Sequence, residues 1–177
     1  VAIPSTSGTG SDVTPWATVW DMIEKKKYSL HLPNLWPVAS INDPAITLTM
    51  PAHLTVQTAL DALSHSLESI WNKNANPVSI MYAVKASKRI LENLPKLIDD
   101  LENLELRTNC MQAALYAGMA FSNTQTAVAH AISYYITAKH GVPHGYACSF
   151  SLPNIIDTVK GSHGYIDDAF EKIFGEI

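Results

Sequence analysis

Cysteine is scarce in this sequence, long apolar runs are missing, and positive charge is never concentrated. Each shortage removes a class of protein. Two cysteines in 177 residues, Cys110 and Cys148, exclude a disulfide scaffold. Both sit in apolar helical contexts and read as free core thiols of a reducing, cytoplasmic compartment. No apolar stretch reaches the roughly 20 residues a membrane helix needs, and no secretory leader pattern is visible. Twelve Lys and Arg stand against 16 Asp and Glu, for a net charge of −4. Apart from Lys25, Lys26 and Lys27 the basic residues are dispersed, which argues against a nucleic-acid partner. There is no internal repeat and no low-complexity tract. The initiator Met is missing too: the chain opens on VAIPSTSGTGSD and stops at IFGEI, inside an amphipathic pattern. Both ends read as cut from something longer.

What is present is a chain 47% hydrophobic and 16% charged, enough for one good core. So apolar a composition predicts that part of the surface is covered by another domain or subunit. Val1 to Pro4 reads as the end of a buried strand. STSGTG is a turn of small residues suited to close backbone approach. Residues 13 to 45 read as irregular, broken by Pro15, Trp16, Trp20, Pro33, Trp36 and Pro37, with short strands near Tyr28–Leu30 and Val38–Ile41. INDP makes a turn. From residue 51 onward the pattern is helical. Pro51 starts a helix through Asp61 and His65, and Pro77 starts another that Pro95 kinks or ends. A third runs from about Leu104 to Phe121, a fourth contains His130, a fifth follows His144, and a sixth covers roughly Ile166–Phe174. The expected fold is mainly α: a bundle of about six helices preceded by a strand-and-loop arm that belongs to an α/β domain.

Asp61 and His65 lie four residues apart within LTVQTALDALSHSLESIW, so they share one helix face. A carboxylate among Ala59, Leu60, Ala62 and Leu63 needs a partner or an ion if that face is buried. Glu68 shares the face and suits a carboxylate acceptor for an imidazole N–H. His130 lies in AVAHAISYYITA and His144 in the turn GVPHG, 14 residues on; His140 competes with His144. Three imidazoles and a carboxylate suit a divalent transition metal such as Fe(II) or Zn(II). His31, His53 and His163 read as incidental. STSGTG suits either a linker or an anion-binding loop; it is neither G-x-G-x-x-G nor a Walker A motif.

Taken in order, these segments resemble the iron-containing (group III) alcohol dehydrogenase family. IPSTSGTGSDVT is similar to that family's I-P-T-T-A-G-T-G-S-E-V-T loop, with Asp12 where Glu is usual. NDPAITLTMP, ALDALSHSLE and HAISYYITAKHGVPHGYA resemble its next three motifs. The resemblance implies a dehydroquinate synthase-like helical metal-binding domain over residues 46–177, incomplete at its C-terminus. Residues 1–45 would be the remnant of a truncated N-terminal α/β nucleotide-binding domain. It implies Asp61, His65, His130 and His144 as ligands of a divalent metal, iron first, with zinc, nickel or manganese acceptable, and makes His140 a non-ligand. It implies NAD or NADP contacts from Ser5, Thr6, Ser7, Gly8 and Thr9, from Lys27, and from Thr47, Leu48 and Met50. The activity implied is alcohol oxidation or aldehyde reduction, with hydride passing between nicotinamide and an alkoxide or carbonyl carbon held at the metal. Tyr134 stands where the family often has a second His, and either takes its place as the proton-relay residue or only packs. The SYxxT…GxPHGxAC wording is similar to the branch that reduces phosphonoacetaldehyde. The expected partners are a small alcohol or aldehyde, the missing nucleotide-binding domain and further copies of the chain. The alternative is a metal-dependent hydrolase or lyase in which the same ligands activate water.

Overall fold

One helix, charged only at Asp61 and Glu68, organises the molecule. Helix α1, Ala52–Trp71, is buried at each position from Asp61 to Ile70 in the computed structural model, which describes residues 1–21 and 23–175. Such a helix needs neighbours all round. They are α2 (Pro77–Asp99), α3 (Leu104–Thr124), α4 (Val128–His140), α5 (His144–Ser149) and α7 (Gly164–Phe174), with α6 (Leu152–Val159) between the last two in sequence. The shared core is rich in alanine, including Ala59, Ala62, Ala83, Ala86, Ala113, Ala117 and Ala120. Small side chains let helix axes approach closely. Polar groups trapped between helices find each other: Ser66 and Ser87 are 2.8 Å apart, and Thr124 donates to Ser69 at 3.1 Å.

The helix ends follow local chemistry. Asn76 and Ser79 form a capping box at the start of α2. Pro95 does not end α2, as its sequence position suggested. The helix runs on to Asp99, since Pro95 is exposed and falls in the last turns, where a carbonyl without its helical donor can turn to water. The described residues form seven α-helices rather than six. The unforeseen one is α6, eight residues begun by Pro153 near its N-terminus. Gly141, at φ +68°, closes α4. Gly145 then lies so near α1 that a Cβ would stand 1.9 Å from the Gln57 carbonyl oxygen. This approach sets α5, and with it His144, against α1.

Buried Arg107, 1% exposed, joins three segments. Its guanidinium donates to Leu101 O at 2.8 Å, Thr55 Oγ1 at 2.9 Å and Met50 O at 2.9 Å.

The arm differs from its sequence reading. The strand expected near Tyr28–Leu30 is present, but it pairs with one that was not expected: β1 (Trp16–Asp21) and β2 (Lys26–His31) form an antiparallel hairpin, registered from Trp16↔His31 to Asp21↔Lys26. Pro15 lies just before β1, where it disturbs no ladder bond. Asp21 Oδ1 accepts from the Ile23 and Glu24 backbone N–H groups, at 2.9 and 2.8 Å, and so tightens the turn. Neither Val1–Pro4 nor Val38–Ile41 is a full strand. They meet in a single parallel bridge, Ala2↔Ser40, and Val1 and Val38 are exposed. The small-residue loop approaches the bundle as its composition predicts. Gly10 has φ +60°, and a Cβ there would lie 2.7 Å from Gly118 Cα in α3. Asp12 is buried and accepts from Ser40 Oγ at 2.7 Å, which ties this loop to residues 38–41.

Candidate metal centre

Asp61, His65, His130 and His144 come together. Asp61 Oδ1 lies 3.8 Å from His65 Nε2, 3.4 Å from His130 Nε2 and 3.8 Å from His144 Nε2. Helix α1 brings two of the four, α4 one, and the start of α5 the last. Donors on one divalent ion at bonds of about 2.1 Å are about 3.4 Å apart at the tetrahedral angle, so the spacing is that of a ligand set. Asp61 Oδ1 and His130 Nε2 are buried and have no hydrogen-bond partner among the described residues. Unpaired buried polar atoms are rare. Here they face the space where an ion would stand, and the donor set fits a transition metal. His65 is held by stacking: its ring centroid is 4.1 Å from that of Phe121 and 4.5 Å from that of His130.

Glu68 takes a role close to the one its face suggests, but with a different histidine. It bonds His130, not His65. The His130 Nδ1–H donates to Glu68 Oε2 at 2.5 Å, which leaves Nε2 with its lone pair toward Asp61. The other Glu68 oxygen accepts from the backbone N–H of Ala129 at 2.6 Å and of His130 at 3.3 Å. Helix α4 has no side-chain cap of its own at Ala127. Glu68, reaching across from α1, satisfies its first-turn donors and places negative charge at its N-terminus.

Electrostatics follow from crowding. Burial works against the Asp61 carboxylate, but His65, His130 and His144 around it prevail and hold its pKa below the carboxylate range. Burial also opposes the Glu68 carboxylate, and the hydrogen bond and charge of the His130 ring lower it in net. Burial pushes the His65 imidazole down to about 4 against the pull of Asp61. Burial likewise lowers His144, with Asp61 opposing. His130 goes the other way: burial, which lowers it, is outweighed by the nearby Asp61 carboxylate, Cys148 and the Glu68 carboxylate, and its pKa is raised. Two anionic carboxylates among imidazoles make a field suited to a cation.

The cluster opens into a cavity of about 460 Å³ whose far wall is the hairpin. Trp16, Thr18 and Trp20 alternate along β1 onto that wall, and Lys27 and Ser29 join them from β2. Trp20 stands edge-on to His144 with centroids 5.7 Å apart. Tyr134 also lines the cavity. Its ring stacks 6.2 Å from His144, and Lys27 Nζ lies 3.5 Å from its centroid.

The remaining expected residues are spread out. Thr9 lines the cavity; Ser5, Thr6, Ser7 and Gly8 do not, and Gly8 lies against Thr58 of α1. Thr47 is buried with its hydroxyl donating to Pro44 O at 2.7 Å. Met50 is buried with its carbonyl taken by Arg107, and Leu48 is half-buried; none of the three lines the cavity. His140 is exposed at the end of α4, beside Tyr135 and away from the cluster. His31, read as incidental, stacks on Trp16 with centroids 4.0 Å apart. Two features were not foreseen. Gln125, at the cavity, has φ +68° and ψ 177°, a conformation almost confined to glycine. Cys148 joins Asp61, His130 and His144 with donor atoms all within 4.8 Å of one another.

Fold and site together define a helical bundle with a buried histidine–carboxylate cluster of the kind that holds one divalent cation. Residues 55–173 match the model of the Fe-containing alcohol dehydrogenase family, C-terminal, and residues 1–44 match that of iron-containing alcohol dehydrogenase. The chain is 36% identical over 155 residues to an NAD-dependent methanol dehydrogenase of Bacillus methanolicus, covering 88% of this chain and 41% of that protein. It is 34% identical over 156 residues to a phosphonoacetaldehyde reductase of Streptomyces viridochromogenes, covering 88% and 40%. The structure of a sulfoacetaldehyde reductase from Bifidobacterium kashiwanohense in complex with NAD+ superposes with a TM-score of 0.88 at 30% identity, covering 98% of this chain and 51% of that one. The chain therefore belongs to the iron-containing alcohol dehydrogenase family. It spans about two fifths of the length of the curated relatives it matches.

Proposed function

We propose that this chain is the metal-holding part of an NAD(P)-linked alcohol dehydrogenase or aldehyde reductase, with Asp61, His65, His130 and His144 as ligands of a divalent ion, iron by family. One observation carries the reading: Asp61 Oδ1 and His130 Nε2 face each other at 3.4 Å, buried and unpartnered. The bound ion supplies Lewis-acid polarisation of the substrate oxygen, and the nicotinamide supplies or accepts hydride. The chain's own residues prepare the place. Glu68 fixes the tautomer and angle of His130, and Gly145 lets His144 close over α1. Trp20 and Phe121 keep the cavity wall apolar around the imidazoles. Tyr134 is the group proposed to hold a proton near the reacting oxygen, replacing a histidine relay. The loop Ser5–Thr9 and the segment Thr47–Met50 are assigned to the nucleotide side, with residues 1–45 grouped with the nucleotide-binding domain and 46–177 with the metal.

Lys27 is the only Lys or Arg lining the cavity among the described residues. A lone ammonium beside an apolar wall suits an anionic group, either a cofactor phosphate or an anion on the substrate. With the phosphonoacetaldehyde-type wording around His144, this supports a small anionic aldehyde such as phosphonoacetaldehyde as substrate. Free buried thiols fit a cytoplasmic setting.

The test uses the full-length protein. Elemental analysis should find bound metal, lost in His130→Ala and His144→Ala. NADH oxidation should run faster with phosphonoacetaldehyde than with acetaldehyde. Lys27→Ala should reduce kcat/KM for the phosphonate by about 10- to 100-fold, the worth of one charge-assisted hydrogen bond, and spare acetaldehyde. An equal loss with both aldehydes assigns Lys27 to the cofactor. Full metal with no nucleotide-linked turnover would favour a hydrolase or lyase instead.

A further inference from the structure

Gln125 occupies the turn between α3 and α4 at φ +68° and ψ 177°. Positive φ with extended ψ is a region essentially confined to glycine, because a Cβ there collides with the backbone. Elsewhere the chain places glycine at positive φ, at Gly10, Gly141 and Gly161. The other exception among the described residues is Lys25, at φ +53° in the hairpin turn. The turn at Gln125 is clamped rather than loose. The Asn72 carboxamide donates to the Gln125 and Thr126 carbonyls at 3.2 and 3.4 Å, and that of Asn74 to the Thr124 carbonyl at 3.2 Å. Thr124 Oγ1 adds a bond to Gln125 O at 2.9 Å, and the Gln125 N–H donates to Phe121 O at 2.7 Å. None of these bonds uses the Gln125 side chain, so glycine would serve all of them without the strain. The turn therefore does not explain why a glutamine stands here. Its side chain is exposed, lines the cavity beside the metal centre, and makes no hydrogen bond among the described residues. Phe121, one helical turn earlier, stacks on His65 and brings this end of α3 to the ligand cluster.

We propose that Gln125 is a specificity-determining residue whose carboxamide N–H donates to an anionic group on the substrate. The inference rests on the dehydrogenase reading above and deepens it. The chemistry of the cavity selects the ligand class. Asp61 is the only carboxylate lining it among the described residues, and it belongs to the ligand cluster. The other polar groups on the wall are imidazoles, the Lys27 ammonium, hydroxyls such as those of Thr18 and Ser29, and the Gln125 amide. An oxyanion on the far side of the substrate from the ion thus meets donors and no opposing negative charge. Lys27 supplies charge without direction, whereas a planar amide supplies a directed donor. The strain at Gln125 is then the cost of aiming that donor from a fixed turn.

The test uses the full-length enzyme loaded with metal, as wild type, Gln125→Glu and Gln125→Gly, with NADH and NADPH. Gln125→Glu keeps the shape and exchanges the donor for a negative charge. It should lower kcat/KM for phosphonoacetaldehyde by about 100-fold, chiefly through KM, whereas acetaldehyde, which has no anion, should change by about twofold or less. Gln125→Gly should lower the phosphonate value by about tenfold while raising the melting temperature, so that its loss is not a loss of fold. The dissociation constant of 2-hydroxyethylphosphonate, the alcohol product, should rise in calorimetric titration in both variants, more in Gln125→Glu. Equal losses with both aldehydes, or a raised KM for the nucleotide, would overturn the proposal by placing Gln125 on the cofactor. Unchanged phosphonate kinetics in both variants would overturn it as well. Wild type that reduces acetaldehyde but not phosphonoacetaldehyde would remove the anion from this inference and leave the dehydrogenase standing. Absence of nucleotide-linked turnover with either aldehyde would remove the dehydrogenase reading and this inference with it.

Discussion

Glu68 serves two structures with one carboxylate, holding the His130 ring and closing the first turn of α4. Glu68→Gln should weaken metal binding by about 10- to 100-fold in a chelator competition, because the ring loses its charged acceptor; unchanged affinity would remove Glu68 from the site. The same carboxylate governs acid stability. The folded-state pKa values of Glu68 and Asp61 are lowered, so their contribution is present above the unfolded carboxylate range near 4 and is lost as pH falls through it toward the folded values. Melting temperatures of the metal-free chain should thus drop between pH 6 and pH 3.5, and less steeply in Glu68→Gln. An identical slope in the variant would contradict the assignment. Gln125 holds a glycine-like conformation fixed by Asn72 Nδ2 at 3.2 Å and by its own N–H to Phe121 O at 2.7 Å. Gln125→Gly should be stabilising by about 1 kcal/mol in urea unfolding, through relief of that strain. At this scale the convergence of Asp61, His65, His130 and His144 was legible because the i, i+4 pair and the motif order are local properties. The partner of Glu68 was not, since it lies 61–62 residues away across a helix–helix contact. Cys148 was read as a core thiol because its neighbours in sequence are apolar, and that reading says nothing about what faces it in space.

Among the elements, the helices and the second hairpin strand were readable and the first hairpin strand was not. Apolar periodicity and the prolines near residues 51 and 77 mark α1 and α2 because those signals act within one turn. Trp16–Asp21 carries β-branched and aromatic residues in alternation, but the prolines around it read as interruptions. Only pairing with Lys26–His31 makes it a strand. Helix α6 is too short for periodicity to declare itself. Arg107 shows how elements are joined without opposite charge. Its three bonds go to neutral acceptors in two loops and the first turn of α1. Arg107→Met should lower unfolding free energy by about 3 kcal/mol, since the Met50 and Leu101 carbonyls would be left buried and unpaired. A change below 1 kcal/mol would mean that water replaces the guanidinium. Trp20→Ala in the hairpin should leave bound metal unchanged by elemental analysis, because the proposed ligands stand on α1, α4 and α5.

For the molecule as a whole, the expectation is that metal binding and turnover separate. The purified chain should bind its ion yet show negligible NAD(P)H-dependent aldehyde reduction, because most of the length of its relatives is not in it. Robust turnover by the chain alone would refute this. The general architecture was legible because four motifs occur in family order; how they meet was not, because that depends on the approach of Gly145 to Gln57 and of Gly10 to Gly118. The ten buried residues from Asp61 to Ile70 carry a wider consequence. They are both the axis of the core and the seat of two of the proposed ligands, Asp61 and His65, with the Glu68 carboxylate beside His130. A mutation there is screened twice, once by folding and once by chemistry, whereas the exposed outer face of the hairpin is screened by neither.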